Sequence, residues 1–507
     1  MKVKSLLALV WLLLLSVYVS GQKITYAEPD REDNKRMNFE VIGQVGKNIL
    51  VYKNYRYDHN LTVYNQEMKQ VNKVKLDESS ERWINVDFIP YNDYMWMIYQ
   101  FQKRNVVYSM GVKLDENGKA ISRPIELDTT RISWTADNKI YSTLYSDDKS
   151  RIMLLKINSK NPKNFIFTTM LYDKDLNLMA RNEMPLALEE RNDYFTDFQL
   201  DNDGGLVFGQ YTRRGNDYIT NLRLITKSTY AREFSILPVD LGGIYLDEIK
   251  VKVDNINNRY LFSAFYYKQR RGNIEGLHSI VYDKATASVV KQFSAFLDES
   301  LRAKVKGQDA NVKMALNDFF IKHIIMRKDG GYILVAESMY TTSRGGTFNR
   351  WNYMGYNNPW MVPYGYYYSP FYNPWMYSPW NNRYGGQATR YHSENIMLIS
   401  FDENSNIEWT NVIPKSQYDD ESDAMISHFL MNTGGELHFL FNQYERRTLL
   451  LSDQSINAQG EITRYPTLKN LDRGYEFLPR YARQISQRSV VMPAFFRNYI
   501  TFAKIEF

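Results

Sequence analysis

The sequence contains no cysteine, so it can form no disulfide and no thiolate metal site, and it offers no thiol nucleophile. It also lacks the GxSxG, HExxH and glycine-rich phosphate-loop motifs of common hydrolases, zinc proteases and nucleotide-binding proteins. The net charge of +6 over 507 residues is too small to indicate nucleic-acid binding. A chain with these absences must be held together by burial of apolar side chains, which make up 44% of its residues.

The one long apolar run lies at the N-terminus. Two lysines precede the apolar segment Leu6–Val19, and a small-residue cleavage site lies directly before Gln22. The segment is shorter than the ~20 residues of a membrane-spanning helix. We therefore predict a signal peptide over 1–21, with an uncleaved membrane anchor as the alternative. The lack of a following cysteine excludes a bacterial lipid anchor. We expect an exported protein that is periplasmic, associated with the outer membrane or exposed at the cell surface.

A hairpin pattern recurs along the rest of the chain and is clearest at Ile396–Pro414. An apolar strand ends in Phe401, a polar turn follows at Asp402–Ser405, and a second strand runs through Val412. Each repeat holds two such hairpins, and several turns carry the glycine that tight hairpins need. First-hairpin turns are predicted near Gly46, Asn92, Asp137, Asp203, Ile256, Asp329, Thr433 and Gln487, and second-hairpin turns near Asn65, Asp115, Asp173, Lys227, Asp283, Asp402 and Asn457.

The spacing of these turns predicts the architecture. Most second-hairpin turns are 50 to 58 residues apart, and a period near 50 with four strands per repeat is typical of a β-propeller. The last repeat holds three strands, and we expect the segment Lys23–Tyr26 to supply the fourth and close the ring. We predict an all-β protein, a single β-propeller of about eight four-stranded blades over 22–507. The alternatives are seven blades and, because Tyr499–Phe507 is an alternating strand that ends on an aromatic residue, an outer-membrane β-barrel.

Three features together give the chain a family resemblance. They are the Asp-x-x-Gly and Asp-x-Asn turns, the high content of tyrosine and asparagine, and the cleavage site before Gln22. With them the mature chain resembles secreted or periplasmic β-propeller proteins of the Bacteroidota cell envelope. The WD dipeptide and the kelch glycine pattern are absent, so the resemblance does not extend to a named propeller family.

An insertion at 343–391, rich in aromatic residues, Asn, Pro and Gly, interrupts the sixth repeat. Between Arg350 and Arg383 it has 32 residues without charge, including four of the nine tryptophans and five prolines that exclude a regular helix. Because Trp and Tyr are frequent binding hot spots, we predict that it binds a protein partner or a second copy of the chain. The alternatives are a cover over its own propeller, glycan stacking and contact with the membrane interface. The predicted binding residues are Trp351, Tyr353, Trp360, Tyr367, Phe371, Trp375, Tyr377 and Trp380.

The loops that follow the second strand of each repeat are basic. All of them should open on the same face as the insertion, where they could receive an anionic partner. The connectors on that face are acidic, as at Asp298-Glu299, so pairing between exposed opposite charges is the alternative. The predicted basic binding residues are Arg213, Arg214, Arg270, Arg271, Arg446 and Arg447.

Metal and cofactor sites are not predicted. The six histidines are scattered, and we expect them to be satisfied polar residues. The segment Asp201–Gly204 begins like a calcium loop, but it lacks the later glutamate and coincides with a predicted turn.

The leading functional hypothesis is a non-catalytic binding or scaffold protein of the cell envelope that binds a protein partner or itself, with peripheral membrane contact as a further option. The alternative is a propeller enzyme that acts on glycans or peptides through carboxylates around the central channel. That alternative rests on fold analogy, and it requires two suitably spaced carboxyl groups in a pocket.

Overall fold

The architecture is taken from a computed structural model of the whole chain. It describes residues 22–507 except 56–57, 77–81, 134, 137–138, 162–163, 189–192, 215–217, 271, 307–311, 344–366, 369–375, 378–387, 421, 446–447 and 469–473. The predicted signal peptide at 1–21 lies outside these residues. No helix among them combines the length and the apolar character needed to cross a membrane.

Tight turns with a shared side-chain geometry form the hairpins. Asp115 accepts backbone hydrogen bonds from Asn117 and Lys119 through one carboxylate oxygen, and Gly118 has a positive φ of 75°. The same pattern recurs at Asp173 and at Asp201. Asp and Asn favour such turns because their short side chains can replace a backbone acceptor. Local chemistry therefore sets most of the turns that the sequence predicts.

Within the described residues the strands group into eight four-stranded units, here called units 1 to 8, and the last unit takes its fourth strand from the N-terminal segment. Units 1 to 4 contain β2 (Asn38–Val45), β3 (Asn48–Tyr55), β4 (Asp58–Tyr64) and β5 (Gln70–Lys75); β6 (Arg82–Pro90), β7 (Met95–Lys103), β8 (Val106–Leu114) and β9 (Ile125–Arg131); β10 (Tyr141–Tyr145), β11 (Arg151–Asn161), β12 (Asn164–Asp173) and β13 (Leu178–Ala187); β14 (Asp193–Phe195) with β15 (Gln199–Leu200), β16 (Leu206–Arg214), β17 (Tyr218–Lys227) and β18 (Ser235–Val239).

The second half repeats this plan. Units 5 to 8 contain β19 (Tyr245–Leu246) with β20 (Lys250–Asp254), β21 (Arg259–Tyr267), β22 (Gly276–Asp283) and β23 (Ser288–Phe296); β24 (Phe319–Met326), β25 (Tyr332–Ser343), β28 (Ala388–Phe401) and β29 (Ile407–Asp419); β30 (His428–Asn432), β31 (Glu436–Glu445), β32 (Thr448–Asn457) and β33 (Ile462–Arg464); β34 (Tyr475–Phe477) with β35 (Arg483–Ser486), β36 (Ser489–Phe496), β37 (Tyr499–Glu506) and β1 (Lys23–Tyr26). The helix α1 (Glu299–Lys306) and two 3-10 turns, at Val312–Met314 and Pro479–Tyr481, lie in connections, and β26 (Tyr367–Tyr368) and β27 (Met376–Tyr377) lie in the insertion.

The strands are antiparallel and divided among separate sheets, as a propeller requires. The prediction of an all-β propeller is confirmed, and the alternative of one closed sheet is wrong. The blade number stays a prediction, because the eight units form seven hydrogen-bonded sheets. In one of these, β19 pairs with both β17 and β21 and joins units 4 and 5.

The hydrophobic core lies between the units. The clusters of buried apolar residues join neighbouring units, and one cluster joins unit 8 to unit 1. In that cluster the rings of Phe39 and Phe502 meet edge to face, with centroids 5.4 Å apart. In the same closing unit, β1 pairs with β37, from Lys23 opposite Glu506 to Tyr26 opposite Ala503. Strands from both ends of the chain therefore share one sheet.

One predicted turn is wrong. The first hairpin of unit 3, which was predicted to turn near Asp137, turns at Ser146–Ser150 between β10 and β11; Asp137 itself lies outside the described residues. Asp148 accepts hydrogen bonds from the Ser146 hydroxyl and the Ser150 backbone, and Lys149 supplies the positive φ that glycine supplies elsewhere. A lysine in that position gives a weaker sequence signal than glycine.

Candidate functional site in the central channel

The first strands of the units surround the central channel. β2 contacts both β6 and β35, and β20 contacts β15 and β24. We call the two ends of the channel the turn face and the loop face. The turn face carries the tight turns within hairpins, such as Asp115–Gly118. The loop face carries the loops between second and third strands, including the start of the insertion at Ser343, and the connectors between units.

A fully buried carboxylate, Glu337 of β25, lies towards the loop face. Lys415 Nζ and His428 Nδ1 each lie 2.9 Å from Glu337 Oε1. The Ser427 hydroxyl donates to Glu337 Oε2 at 2.5 Å. Because His428 and Ser427 belong to unit 7 and its connector, this carboxylate links unit 6 to unit 7.

The charges around Glu337 stabilise its ionised form. Burial by itself would raise the pKa of Glu337, but the interactions with Lys415 and His428 outweigh burial and hold that pKa well below its usual value. Lys415 is held in turn by the Ser393 hydroxyl at 2.6 Å and by Gln417 Oε1 at 2.8 Å. This cluster is a buried ion pair whose remaining hydrogen-bonding groups are largely satisfied, the arrangement that such pairs need.

Other units place a neutral amide at a comparable point of the second strand. Gln100 of unit 2 accepts from the backbone of Ile140 and Tyr141, which begin the next inner strand. In unit 7, Asn442 donates to the backbone oxygens of Met425 and Phe477. A neutral amide is therefore sufficient to join units at this level, and the charged group in unit 6 is a local departure from the pattern.

Two more ion pairs lie around the same end of the channel. Lys250, at the start of β20, lies 2.7 Å from Glu248 and 3.6 Å from Asp197. Burial would lower the pKa of Lys250, but these two carboxylates outweigh burial and raise it. Arg480 of unit 8 forms a salt bridge with Asp423. The loop-face end of the channel is thus rich in paired charges from units 4 to 8.

The carboxylates Glu248 and Asp197 bear on the enzyme hypothesis. Glycoside hydrolysis needs one of two carboxyl groups to carry a proton. Both groups here already bind the ammonium of Lys250. This pair therefore fits an ion-pair network better than an acid and nucleophile, and the enzyme alternative stays a prediction.

The opposite end of the channel holds a cavity of about 550 Å3. The rings of Tyr91 and Tyr94 line it and stack with centroids 4.7 Å apart. Lys149 donates to the backbone oxygen of Pro90 at 2.5 Å, and burial lowers the pKa of this lysine. The cavity at the turn face is therefore lined by residues of the hairpin turns, and the ammonium of Lys149 is hydrogen-bonded to a neighbouring turn.

The described parts of the insertion pair with the propeller itself. β26 pairs with β11, and Tyr367 is opposite Asn158. On β11 this pairing follows directly after the residues that pair with β10. β27 adds to the channel edge of β2, where Tyr377 is opposite Phe39. The chain that leaves unit 6 at the loop face thus supplies inner strands to units 3 and 1, an arrangement in line with the alternative of a cover over its own propeller.

The side chains of the eight aromatic residues predicted to bind lie outside the described residues; only the backbones of Tyr367 and Tyr377 are described, in β26 and β27. Among the basic residues, Arg213 is 5% exposed, with its guanidinium 5.5 Å from the centre of the Tyr194 ring. Arg270 is exposed, and a hydrogen bond with Tyr245 raises its pKa. Arg271, Arg446, Arg447 and the side chain of Arg214 also lie outside the described residues.

The residues that form this site are not among those predicted from the sequence. Glu337 follows the apolar run Ile333–Ala336, and a charge directly after such a run in a buried strand is the signal that could have found it. Two histidines of unit 7 bind different carboxylates: His428 binds Glu337, and His438 lies 3.0 Å from Asp453.

Comparison with known proteins gives no family. No family model and no curated protein matches the chain. Among solved structures, a protein of unknown function from Bacteroides caccae is 10% identical over 75% of this chain and 94% of its own, with a TM-score of 0.26. The polysaccharide lyase Uly1 is 8% identical over 94% and 99% of the two chains, with a TM-score of 0.36. Prolyl oligopeptidase B from Galerina marginata is 7% identical over 92% of this chain, with a TM-score of 0.40. The match spans 56% of that protein's length. These distant similarities do not identify a function.

Proposed function

We propose that the protein is an exported, non-catalytic binding protein of the cell envelope that holds a protein partner on its loop face. The supporting observation is the pairing of β26 and β27 with the inner edges of units 3 and 1. These edges accept added strands, and strand addition is a common way to bind an extended peptide segment. The aromatic residues of the insertion supply side chains of the kind that dominate binding energy.

The experiment is a crosslinked pull-down from cell envelopes. Ser343 and Ala388 are opposite each other in the β25–β28 ladder, so a two-residue Asn-Gly turn can replace 344–387 while the ladder is kept. A second variant carries alanine at Trp351, Trp360, Trp375 and Trp380 and keeps the length of the insertion. We expect a defined partner that is captured by the full chain and lost from both variants.

The pair of variants separates two causes. Loss of the partner from the shortened chain alone would assign binding to the backbone of the insertion. Capture of the same partner by all three proteins would overturn the proposal and leave the insertion as a cover. Circular dichroism of both variants controls for loss of fold.

A further inference from the structure

A β-bulge in the inner strand of unit 6 places two polar side chains next to each other. In the β24–β25 ladder, Ile321 is opposite Ala336 and His323 is opposite Val335, so Lys322 is the extra residue. Ile321 and Ile324 on either side are buried in the core cluster between units 5 and 6, whereas Lys322 and His323 are half-buried. Bulges break the alternation of a strand and are frequent beside functional sites because they redirect side chains.

Lys322 differs from the other cations at this end of the channel. Lys250, Lys415 and Arg480 each have a carboxylate partner. Within the described part of the chain Lys322 has no hydrogen bond and no salt bridge, and its ammonium lies 6.0 Å from the centre of the Phe320 ring. Burial is the main cause that lowers the pKa of Lys322 to about 8; Arg480 and Lys250 act in the same direction, and Glu337 and Glu248 act against it. The carboxylates of Glu337 and Glu248 are bound by Lys415 and Lys250 and form no salt bridge with Lys322.

The neighbouring His323 offers a hydrogen-bond donor. Burial, with contributions from His428 and Lys322, lowers the pKa of His323 to about 3, so the ring is neutral at physiological pH. A neutral imidazole keeps one N–H donor. The His323 ring forms no hydrogen bond within the described residues. It contacts the His428 ring edge to face, with centroids 5.6 Å apart. An ammonium and a ring N–H thus lie side by side without a partner.

We propose that Lys322 and His323 form a binding point for an oxyanion, the carboxylate or phosphate group of a ligand, at the loop-face end of the central channel. A charge-assisted hydrogen bond from the ammonium and a second hydrogen bond from the imidazole would give both donors an acceptor. The ammonium of Lys322 and the N–H donor of His323 favour an anion over a metal cation at this point. The site does not depend on the proposed protein partner, because it requires only a small anionic group.

The test is competitive acetylation of the full-length protein with acetic anhydride, read for each lysine by mass spectrometry. The reaction is followed across pH in sodium chloride, in inorganic phosphate and in acetate at equal ionic strength. At an anion concentration about ten times its Kd, occupancy slows the labelling of a bound amine by about tenfold. We expect this slowing, with a raised apparent pKa, at Lys322. Lys250, which already has its carboxylates, and exposed Lys119 serve as internal controls whose labelling stays unchanged.

The outcomes separate the sources of the anion. Protection by phosphate alone indicates a phosphorylated ligand, and protection by acetate alone indicates a carboxylate ligand. Equal protection in all three salts, or protection in none, would overturn the proposal. Calorimetric titration of the protecting anion into Lys322→Met and Lys322→Arg provides a second measurement. We expect loss of the binding heat in the first variant and its retention in the second.

Discussion

Two lysines of adjacent units face the same channel under opposite conditions. Lys250 of unit 5 binds Glu248 and Asp197, whereas Lys322 of unit 6 has no carboxylate within bonding distance among the described residues. The carboxylates raise the pKa of Lys250, and burial lowers the pKa of Lys322 to about 8. The comparison indicates that a charge in the channel stabilises the fold when another side chain of the protein supplies the opposite charge. Where the partner is missing, the charge is available to a ligand.

Glu337 and Lys415 show the structural case in its most buried form. The side chains are 0% and 1% exposed, and the carboxylate reaches into unit 7 through His428 and Ser427. Gln100 connects neighbouring units from a comparable place without charge. The propeller therefore does not need an ion pair at this level. Once the pair in unit 6 is buried, however, loss of either partner leaves an uncompensated charge in the interior.

The largest effect is expected from breaking that pair. Glu337→Gln leaves the Lys415 ammonium buried without a counter-ion, and loss of one partner of a buried pair costs ~3–5 kcal/mol of the free energy of unfolding. The double variant Glu337→Gln with Lys415→Met should recover much of this loss, because no uncompensated charge remains. Urea denaturation measures both. A double variant that is as unstable as the single one would contradict the interpretation.

A smaller effect, of opposite sign at the two positions, is expected for the channel lysines. Lys250→Met leaves Glu248 and Asp197 without their cation and should lower the free energy of unfolding by about 1 kcal/mol, since both carboxylates are partly exposed and screened. Lys322→Met removes an unpaired ammonium and should leave the free energy of unfolding unchanged or raise it by up to about 1 kcal/mol. Denaturation of the two variants and of the unmodified chain measures these differences. Equal losses of the free energy of unfolding at both positions would contradict the proposed difference between the two lysines.

The smallest expected effect is a difference in pH dependence. The folded-state pKa of Lys322, about 8, lies below its unfolded value of about 10.4. Between these values the unfolded chain binds more protons, so the destabilising contribution of Lys322 is present below pH ~8 and is relieved as pH rises towards ~10.4. The raised pKa of Lys250 has the opposite consequence, because its stabilising contribution is present below ~10.4 and is lost only above that value.

The measurement is the free energy of unfolding of the two lysine variants from about pH 7 to about pH 10. The advantage of Lys322→Met over the unmodified chain should shrink across this range, and the deficit of Lys250→Met should persist. An advantage of Lys322→Met that stays constant with pH would show that the ammonium is not the cause.

Much of the fold could be predicted because its signals are local. Asp115, Asp173 and Asp201 form turns with their own neighbours, so the hairpins and their period can be read from short stretches. The turn at Ser146–Ser150 was not predicted, and the absence of glycine alone does not explain this, because Leu176 takes the positive φ in the predicted turn at Asp173 as Lys149 does here. The pairing of Lys23–Tyr26 with the C-terminal strand was also expected, since the last repeat lacked one strand.

The candidate site could not be predicted in the same way. Glu337 lies 78 residues before Lys415 and 91 before His428 in the chain, and the three meet only because adjacent units pack together. The bulge at Lys322 is a property of the β24–β25 ladder, since the alternation in the sequence does not reveal which residue is extra.

An all-β chain of repeated hairpins follows from the amino-acid sequence, because turn chemistry and strand patterning act over a few neighbouring residues. Which charges share the channel, which of them have partners, and where the strands of the insertion attach depend on how the units pack. Burial and Coulomb interactions are set by distances between units that are far apart along the chain. Lys250 and Lys322 have the same chemistry in the sequence, and their surroundings give them different roles.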